Sequence, residues 1–108
     1  MNKLLAREAG FTAVFCMSDI MAVGAMRALT DAGLRVPQDI SVLGFDGIEL
    51  GQYAVPRLAT VSQPQQEIAD QSVALLLGQI EKAAPPQTRV VSTGLLEGES
   101  VASVTSDI

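Results

Sequence analysis

The chain has 108 residues, enough for one small domain, and its 48 % apolar content with no tryptophan indicates a mainly aliphatic core. The formal net charge is −5, and no two of the seven Lys and Arg residues are adjacent, which argues against duplex DNA binding by this chain alone. Histidine is absent, which excludes Ser-His-Asp and Cys-His catalysis and most zinc sites.

The first half of the sequence alternates between helical and strand patterns. The predicted elements are a helix over Asn2–Glu8, a strand over 12–16, a helix over 18–32 and a strand over 40–45. Ser18 suits the N-cap of the second helix, and the charge of Asp19 suits the positive end of its dipole. Gly33, with Pro37 soon after, is a typical stop signal. The strand over 12–16 is apolar enough to be covered on both faces.

The second half continues in the same manner. Its predicted elements are a helical turn over Ile48–Tyr53, a strand over Leu58–Val61, a helix from Pro64 to about Lys82, a strand over Arg89–Thr93 and an extended segment over Leu95–Glu97. Proline suits the first position of a helix. The order of strands and helices predicts an α/β fold with a doubly wound, mostly parallel sheet.

Two predicted strands end in polar residues. Ser18 and Asp19 follow the first strand, and Asp46 ends the second. The carboxyl ends of parallel strands share one edge of a sheet, where open α/β folds bind ligands. These three residues should therefore lie side by side at a candidate binding edge.

Other chemistry-bearing residues have simpler interpretations. Cys16 is the single cysteine and lies in a predicted strand, so we interpret it as a small core residue. Glu97 and Glu99 could form a glycosidase pair or metal site, but a charged surface turn around Gly98 is favoured. No glycine-rich nucleotide-binding fingerprint follows the first strand. We predict no catalytic activity, metal or cofactor.

Three blocks of sequence carry a family resemblance. They are the strand–Ser-Asp–helix start around Ser18, GLRVPQDISVLGFD from Gly33 to Asp46, and PRLATVSQP from Pro56 to Pro64. Their order and spacing resemble the LacI/GalR family of bacterial transcriptional regulators. The likeness covers roughly Phe11 to Val101 and matches the C-terminal part of the family's periplasmic binding protein-like, effector-sensing domain.

The resemblance implies a C-terminal fragment of a two-lobed sensing domain, without its helix-turn-helix DNA-binding head. By analogy, residues 1–60 and about 95–102 belong to the C-terminal lobe. Residues 61–93 or so belong to the N-terminal lobe, whose remaining strands are absent. We therefore expect the helix over 64–82 to lack its normal neighbours.

The resemblance also implies effector-binding residues. The family holds effector hydroxyls or amines with the Asp of a Gly-aromatic-Asp motif, which Asp46 matches, although an Asp before Gly47 could simply cap a turn. Ser18 falls at a polar ligand-binding position and Gln63 at a lobe crossing, each with a helix-terminal role as the alternative. Phe45 could stack on a sugar ring or belong to the core.

A homodimer interface is implied on the first long helix and the segment after the second strand. The residues assigned to it are Ile20, Val23, Gly24, Leu29, Leu50 and Tyr53. These positions are unusually apolar for a surface, which suits that use.

The leading hypothesis is the effector-sensing and dimerisation part of a LacI/GalR-like repressor. The intact protein would bind a sugar-like small molecule, and operator DNA only through its head, with the two affinities coupled. The alternative is a periplasmic-type sugar-binding protein with no DNA-binding role. Met1–Gly10 is charged and lacks a signal peptide's apolar stretch, so a cytoplasmic location is expected, and no run approaches the roughly 20 apolar residues of a membrane span.

Overall fold

The computed structural model describes residues 1–7 and 10–104, and the chain divides into two compact units. The larger unit comprises Met1–Ser62 and the chain from Leu95 onward, and the smaller unit comprises Gln63–Gly94. The first helix, α1, covers Asn2–Ala6; its expected end at Glu8 lies outside the described residues.

The larger unit is built around a parallel sheet, as the sequence predicts. Its strands are β1 (Ala13–Phe15), β2 (Ser41–Asp46) and β3 (Ala59–Ser62). Strand β1 pairs in parallel with β2, and β2 in parallel with β3, and a short β4 (Gly94–Leu96) completes the order β1-β2-β3-β4. The α/β fold class is confirmed.

Helix α2 (Asp19–Asp31) connects β1 to β2 and covers one face of the sheet. It begins after Ser18 and ends before Gly33, whose φ of +81° suits a glycine. Its inward residues join the core with strand residues such as Val42 and with Leu58. A 3₁₀ helix (Glu49–Tyr53), where the sequence predicts a helical turn, follows β2.

The opposite face of the sheet is open, so the prediction that β1 is covered on both faces is wrong. Ala13 and Phe15 are exposed and Val14 is half-buried. Alternate residues of a strand point to opposite faces, and only the face of Val14 has α2 against it. The open face carries an apolar groove of about 630 Å³, lined among others by Phe15, Leu43 and Leu95.

The smaller unit contains helix α3 (Gln65–Lys82). Pro64 is its N-cap rather than its first helical residue, a shift of one position. No residue of α3 is buried, in line with the expectation that this helix lacks neighbours. Among the described residues, no helix combines the length and the apolarity that crossing a bilayer requires.

The predicted strand over Arg89–Thr93 is wrong. The described residues from Ala83 to Thr93 have no regular secondary structure, and Val90 is 92 % exposed. Strand propensity reflects packing against a partner surface, and this segment buries little. The regular extended segment is β4, one residue earlier than the stretch predicted over Leu95–Glu97.

Candidate functional site

The carboxyl ends of β1, β2 and β3 meet at one edge of the sheet, as predicted. Asp46 ends β2 in register with Ser62, the last residue of β3. Asp19, at the start of α2, bonds to the backbone of Gly47, directly after Asp46. Two polar strand ends that are 27 residues or more apart in sequence therefore form one cluster.

Ser18 has the capping role that its sequence position predicts. Its backbone is extended, and its Oγ accepts a hydrogen bond from the Met21 amide at 3.2 Å. The cap uses a lone pair of the hydroxyl oxygen, so the hydroxyl proton remains chemically able to donate to a ligand oxygen. The side chain is half-buried at the edge. Capping and ligand contact are therefore compatible here.

Asp46 has an unusual backbone. Its φ is +131°, and Gly47 follows with φ +83°. A non-glycine residue in this region is strained, and such strain concentrates at functional sites. A Cβ on Gly47 would lie 2.9 Å from the Cβ of Ser62, so the turn also runs too close to β3 for a larger residue. The chain thus turns sharply at the residue with the strongest candidate ligand group.

Asp19 has a larger role than the sequence predicts. The sequence indicates a helix-dipole and packing partner, and the residue is indeed fully buried. Its Oδ2 accepts from the amides of Gly47 and Ile48, each at 2.8 Å, and its Oδ1 accepts from the Thr60 hydroxyl at 2.6 Å. The signal available in the sequence was an acidic residue directly after a strand that neighbours another polar strand end.

Phe45 lies on the open face of the sheet rather than in the core beneath α2. It is half-buried, and its ring meets that of Phe15 edge to face, with centroids 6.5 Å apart. Sequence reasoning missed Phe15 as a partner. The signal was its position at the end of β1, in parallel register with Leu43, two residues before Phe45.

Gln63 is the first residue of the smaller unit and is half-buried just before α3. Its role as an effector contact stays a prediction from the resemblance.

Cys16 and the turn around Gly98, which carries Glu97 and Glu99, have structural roles. Cys16 is buried in the core cluster, and desolvation raises the pKa of its thiol, although the nearby N-terminal amino charge opposes this, so the reactive thiolate is disfavoured. Gly98 packs against the backbone that leads into β3, and the Glu99 amide donates to the Arg57 carbonyl at 2.7 Å. Within residues 1–7 and 10–104, no group of three His, Cys, Asp or Glu residues could hold a metal ion.

The predicted dimer residues fall into two classes. Ile20 is 68 % exposed, Gly24, Leu50 and Tyr53 are also exposed, and Val23 is half-buried. Leu29 is fully buried in the core against the sheet, where a partner chain cannot reach it. Its place in the predicted interface is therefore wrong, because the apolar pattern of α2 includes both its core side and its outer side.

Comparison with known proteins agrees with this fold. A family profile described as "Periplasmic binding protein-like domain" matches residues 2–101. The chain is 45 % identical over 103 residues to the HTH-type transcriptional repressor PurR of Yersinia enterocolitica, covering 94 % of this chain and 30 % of that protein. The chain thus spans about a third of the length of the curated relatives it matches.

Solved structures show the same likeness. The transcriptional regulator CelR in complex with cellobiose is 33 % identical, with a TM-score of 0.85 over 92 % of this chain and 31 % of that one. The lac repressor dimer bound to operator and the anti-inducer ONPF is also 33 % identical, with a TM-score of 0.86 over 94 % of this chain and 35 % of that one.

These relatives are transcriptional regulators rather than enzymes, as the sequence predicts. The profile match and the parallel sheet agree with each other. The chain belongs to the periplasmic binding protein-like domain family. Within that family it is part of an effector domain of the LacI-regulator type.

Proposed function

We propose that this chain is the effector-sensing and dimerisation part of a LacI-type repressor, and that Asp46 is its main contact to a sugar-like effector. The observation that carries the proposal is the position of Asp46 at the carboxyl end of a central parallel strand, in a strained backbone conformation.

The chemistry of the edge suits a polyhydroxylated ligand. A carboxylate accepts hydrogen bonds from two adjacent hydroxyls, and the Ser18 hydroxyl adds a donor. The ring of Phe45, braced by Phe15, offers an apolar surface against which a sugar ring can stack. The family resemblance adds Gln63 as a further candidate contact, with an amide that both donates and accepts. The cellobiose complex of CelR supports a sugar as the class of ligand.

The two compact units support an assignment to two lobes. We propose that residues 1–60 and about 95–102 form the lobe that carries Asp46. Residues 61–93 or so are proposed to belong to the other lobe. The observed division, with its boundaries after Ser62 and before Leu95, is consistent with this assignment.

A chimera tests the effector role. The chain would replace the matching 31 % of CelR, and cellobiose binding would be measured by calorimetry. We expect Asp46→Asn to weaken binding at least about tenfold, since a hydrogen bond to a charged group contributes about 1.5–3 kcal/mol. Asp31→Asn, at the exposed end of α2, is the matched control and should bind normally. A folded D46N chimera with unchanged affinity would refute the role of Asp46.

The isolated chain should bind cellobiose weakly or not at all, because its relatives are about three times as long. A clear calorimetric signal from the chain alone would contradict this expectation.

We propose that copies associate through the outer face of α2 and the adjoining 3₁₀ helix, defined here by Ile20, Val23, Gly24, Leu50 and Tyr53. The two elements contact each other, and apolar side chains are exposed on both. The lac repressor dimer supports a two-fold assembly in this family.

Sedimentation over a micromolar concentration series tests this interface. The chain should self-associate, and Ile20→Glu should weaken association because it would place a charge in the contact. Thr30→Glu, on an exposed position of the same helix, is the control and should associate normally. A chain that stays monomeric throughout, or an I20E variant that associates like the parent, counts against the proposal.

A further inference from the structure

We infer that Asp19 is a positioning residue that holds the turn after β2 in the conformation that presents Asp46 at the edge of the sheet. The inference rests on the proposed function, because it assigns Asp19 a part in building that effector site. It concerns a residue that is fully buried and therefore does not itself meet the effector.

The carboxylate of Asp19 joins three separate elements. Its own backbone lies in the first turn of α2, its Oδ2 accepts from the consecutive amides of Gly47 and Ile48, and its Oδ1 accepts from the hydroxyl of Thr60 in β3. Hydrogen bonds are electrostatically stronger in the low-dielectric interior than in water, and this side chain is fully buried. One side chain thus fixes the turn relative to both neighbouring elements.

The bonded amides are the two that directly follow Asp46. Asp46 and Gly47 both have positive φ, at +131° and +83°. Glycine adopts such a φ readily, whereas the conformation of Asp46 is one that a free peptide would leave. Strained backbone persists only where its surroundings over-determine it. Two hydrogen bonds of 2.8 Å to one buried oxygen supply that constraint at the downstream side of the turn.

Gly44 supports the same arrangement from within β2. A Cβ at this position would collide with Oδ1 of Asp19 and lie 3.0 Å from a methyl carbon of Leu58. The glycine therefore leaves the space that the carboxylate occupies. Each residue of the Gly-aromatic-Asp motif therefore has its own part. Gly44 leaves room for the carboxylate of Asp19, Phe45 contacts Phe15, and Asp46 is the proposed ligand group.

Amide hydrogen exchange of the unmodified ¹⁵N-labelled chain gives the first test and needs no variant. The Gly47 and Ile48 amides should be protected to a degree comparable with the Val42 amide, which donates to Ser100 within the core of the sheet. Exchange of the Gly47 and Ile48 amides at the rate expected for an unfolded chain would overturn the inference.

Three variants then separate positioning from general stability. Asp19→Leu removes both acceptors while it keeps the branching and the number of heavy atoms of the side chain, and it should speed exchange at Gly47 and Ile48 at least about tenfold relative to Val42. Thr60→Val removes only the third bond and should leave both amides protected. Asp19→Asn should rescue, because its oxygen can accept from both amides and its NH₂ can donate to the Thr60 oxygen.

The outcomes are decisive without any sugar. Selective acceleration in D19L, with protection kept in T60V and D19N, supports the inference. Equal acceleration at Gly47, Ile48 and Val42, or none, overturns it. If the D46N chimera binds cellobiose with unchanged affinity while D19L selectively accelerates exchange at Gly47 and Ile48, the effector role of Asp46 is refuted and the positioning role of Asp19 stands. If D19L leaves exchange at Gly47 and Ile48 unchanged while D46N weakens binding in the chimera, the positioning role of Asp19 is refuted and the effector role of Asp46 stands.

Discussion

Helices α2 and α3 both have an apolar stripe in the sequence, and they differ in what covers it. In α2, five of 13 residues are buried: Asp19, Ala22, Ala25, Met26 and Leu29. In α3, none of 18 residues is buried, although Val73, Leu76, Leu77 and Ile80 form an apolar row. An amphipathic pattern predicts that a helix forms and which side seeks a partner, but burial requires a partner surface.

The largest expected difference between the two helices comes from shortening one leucine in each. Leu29→Ala should lower the free energy of unfolding by about 2–5 kcal/mol, because it leaves a cavity in the core. Leu76→Ala, at a 56 % exposed position of α3, should change it by less than about 0.5 kcal/mol. Urea unfolding measures both. Equal losses would show that α3 is packed as tightly as α2 in solution.

Hydrogen exchange should separate the same helices in the unmodified chain. Amides in the middle of α2, such as that of Met26, open only with the core, whereas those of α3, such as that of Val73, depend on the helix alone. We expect exchange from α3 to be at least about a hundredfold faster. Similar protection in both helices would mean that the apolar row of α3 has found a covering surface, for example in a second copy.

Two serines extend the comparison to polar side chains. Ser100 is fully buried, and its Oγ donates to the Val42 carbonyl at 2.6 Å and accepts from the Ala59 amide at 2.9 Å. Ser100→Ala should cost about 1–3 kcal/mol, because it leaves a buried donor and acceptor unpaired. Ser72→Ala, on the exposed surface of α3, should be close to neutral. Thermal unfolding of the two variants checks this contrast, and a neutral S100A would contradict it.

The smallest effect should come from exposed charge in the loop that follows α2. The hydrogen bond from the Arg35 side chain, helped by the Arg35 amide, lowers the pKa of Asp39 below its ordinary value. The Arg35–Asp39 interaction therefore contributes its full stabilisation at pH values above the ordinary pKa of an Asp carboxyl. This stabilisation is lost as the pH falls through the lowered pKa of Asp39, below about pH 4.

Asp39→Asn should flatten this part of the pH dependence with little change at neutral pH, because the pair is exposed. Arg35→Gln should act in the same direction. Urea unfolding at several pH values measures the effect, and an unchanged acid dependence in both variants would rule out the pair as its source.

Much of the fold was predictable because its signals are local. Ser18 and Gly33 set the limits of α2 to within a residue, and apolar runs located β2 and β3 to within one position. The segment over Arg89–Thr93 contains three β-branched residues, Val90, Val91 and Thr93, yet forms no strand. Strand formation needs a neighbouring strand and a packed face, and neither is encoded in the segment itself.

The location of the candidate site was predictable from the sequence, and the contacts that build it were predictable only in part. Parallel topology alone places Ser18, Asp19 and Asp46 at one edge. The bonds from Gly47, Ile48 and Thr60 to Asp19 join residues up to 41 positions apart, so no local pattern announces them. The same holds for the contact between Phe15 and Phe45.

The sequence by itself determined most of the helices and strands and the edge of the sheet where polar residues gather, because propensity and capping act over short stretches. The family followed from the likeness of three blocks of sequence. Only the tertiary structure decided that Asp19 is a buried acceptor, that Leu29 belongs to the core and that one face of the sheet is open. Each of these depends on which surfaces meet across long separations in sequence. Desolvation and packing depend on which surfaces are in contact, and the identity of a single residue does not specify those contacts.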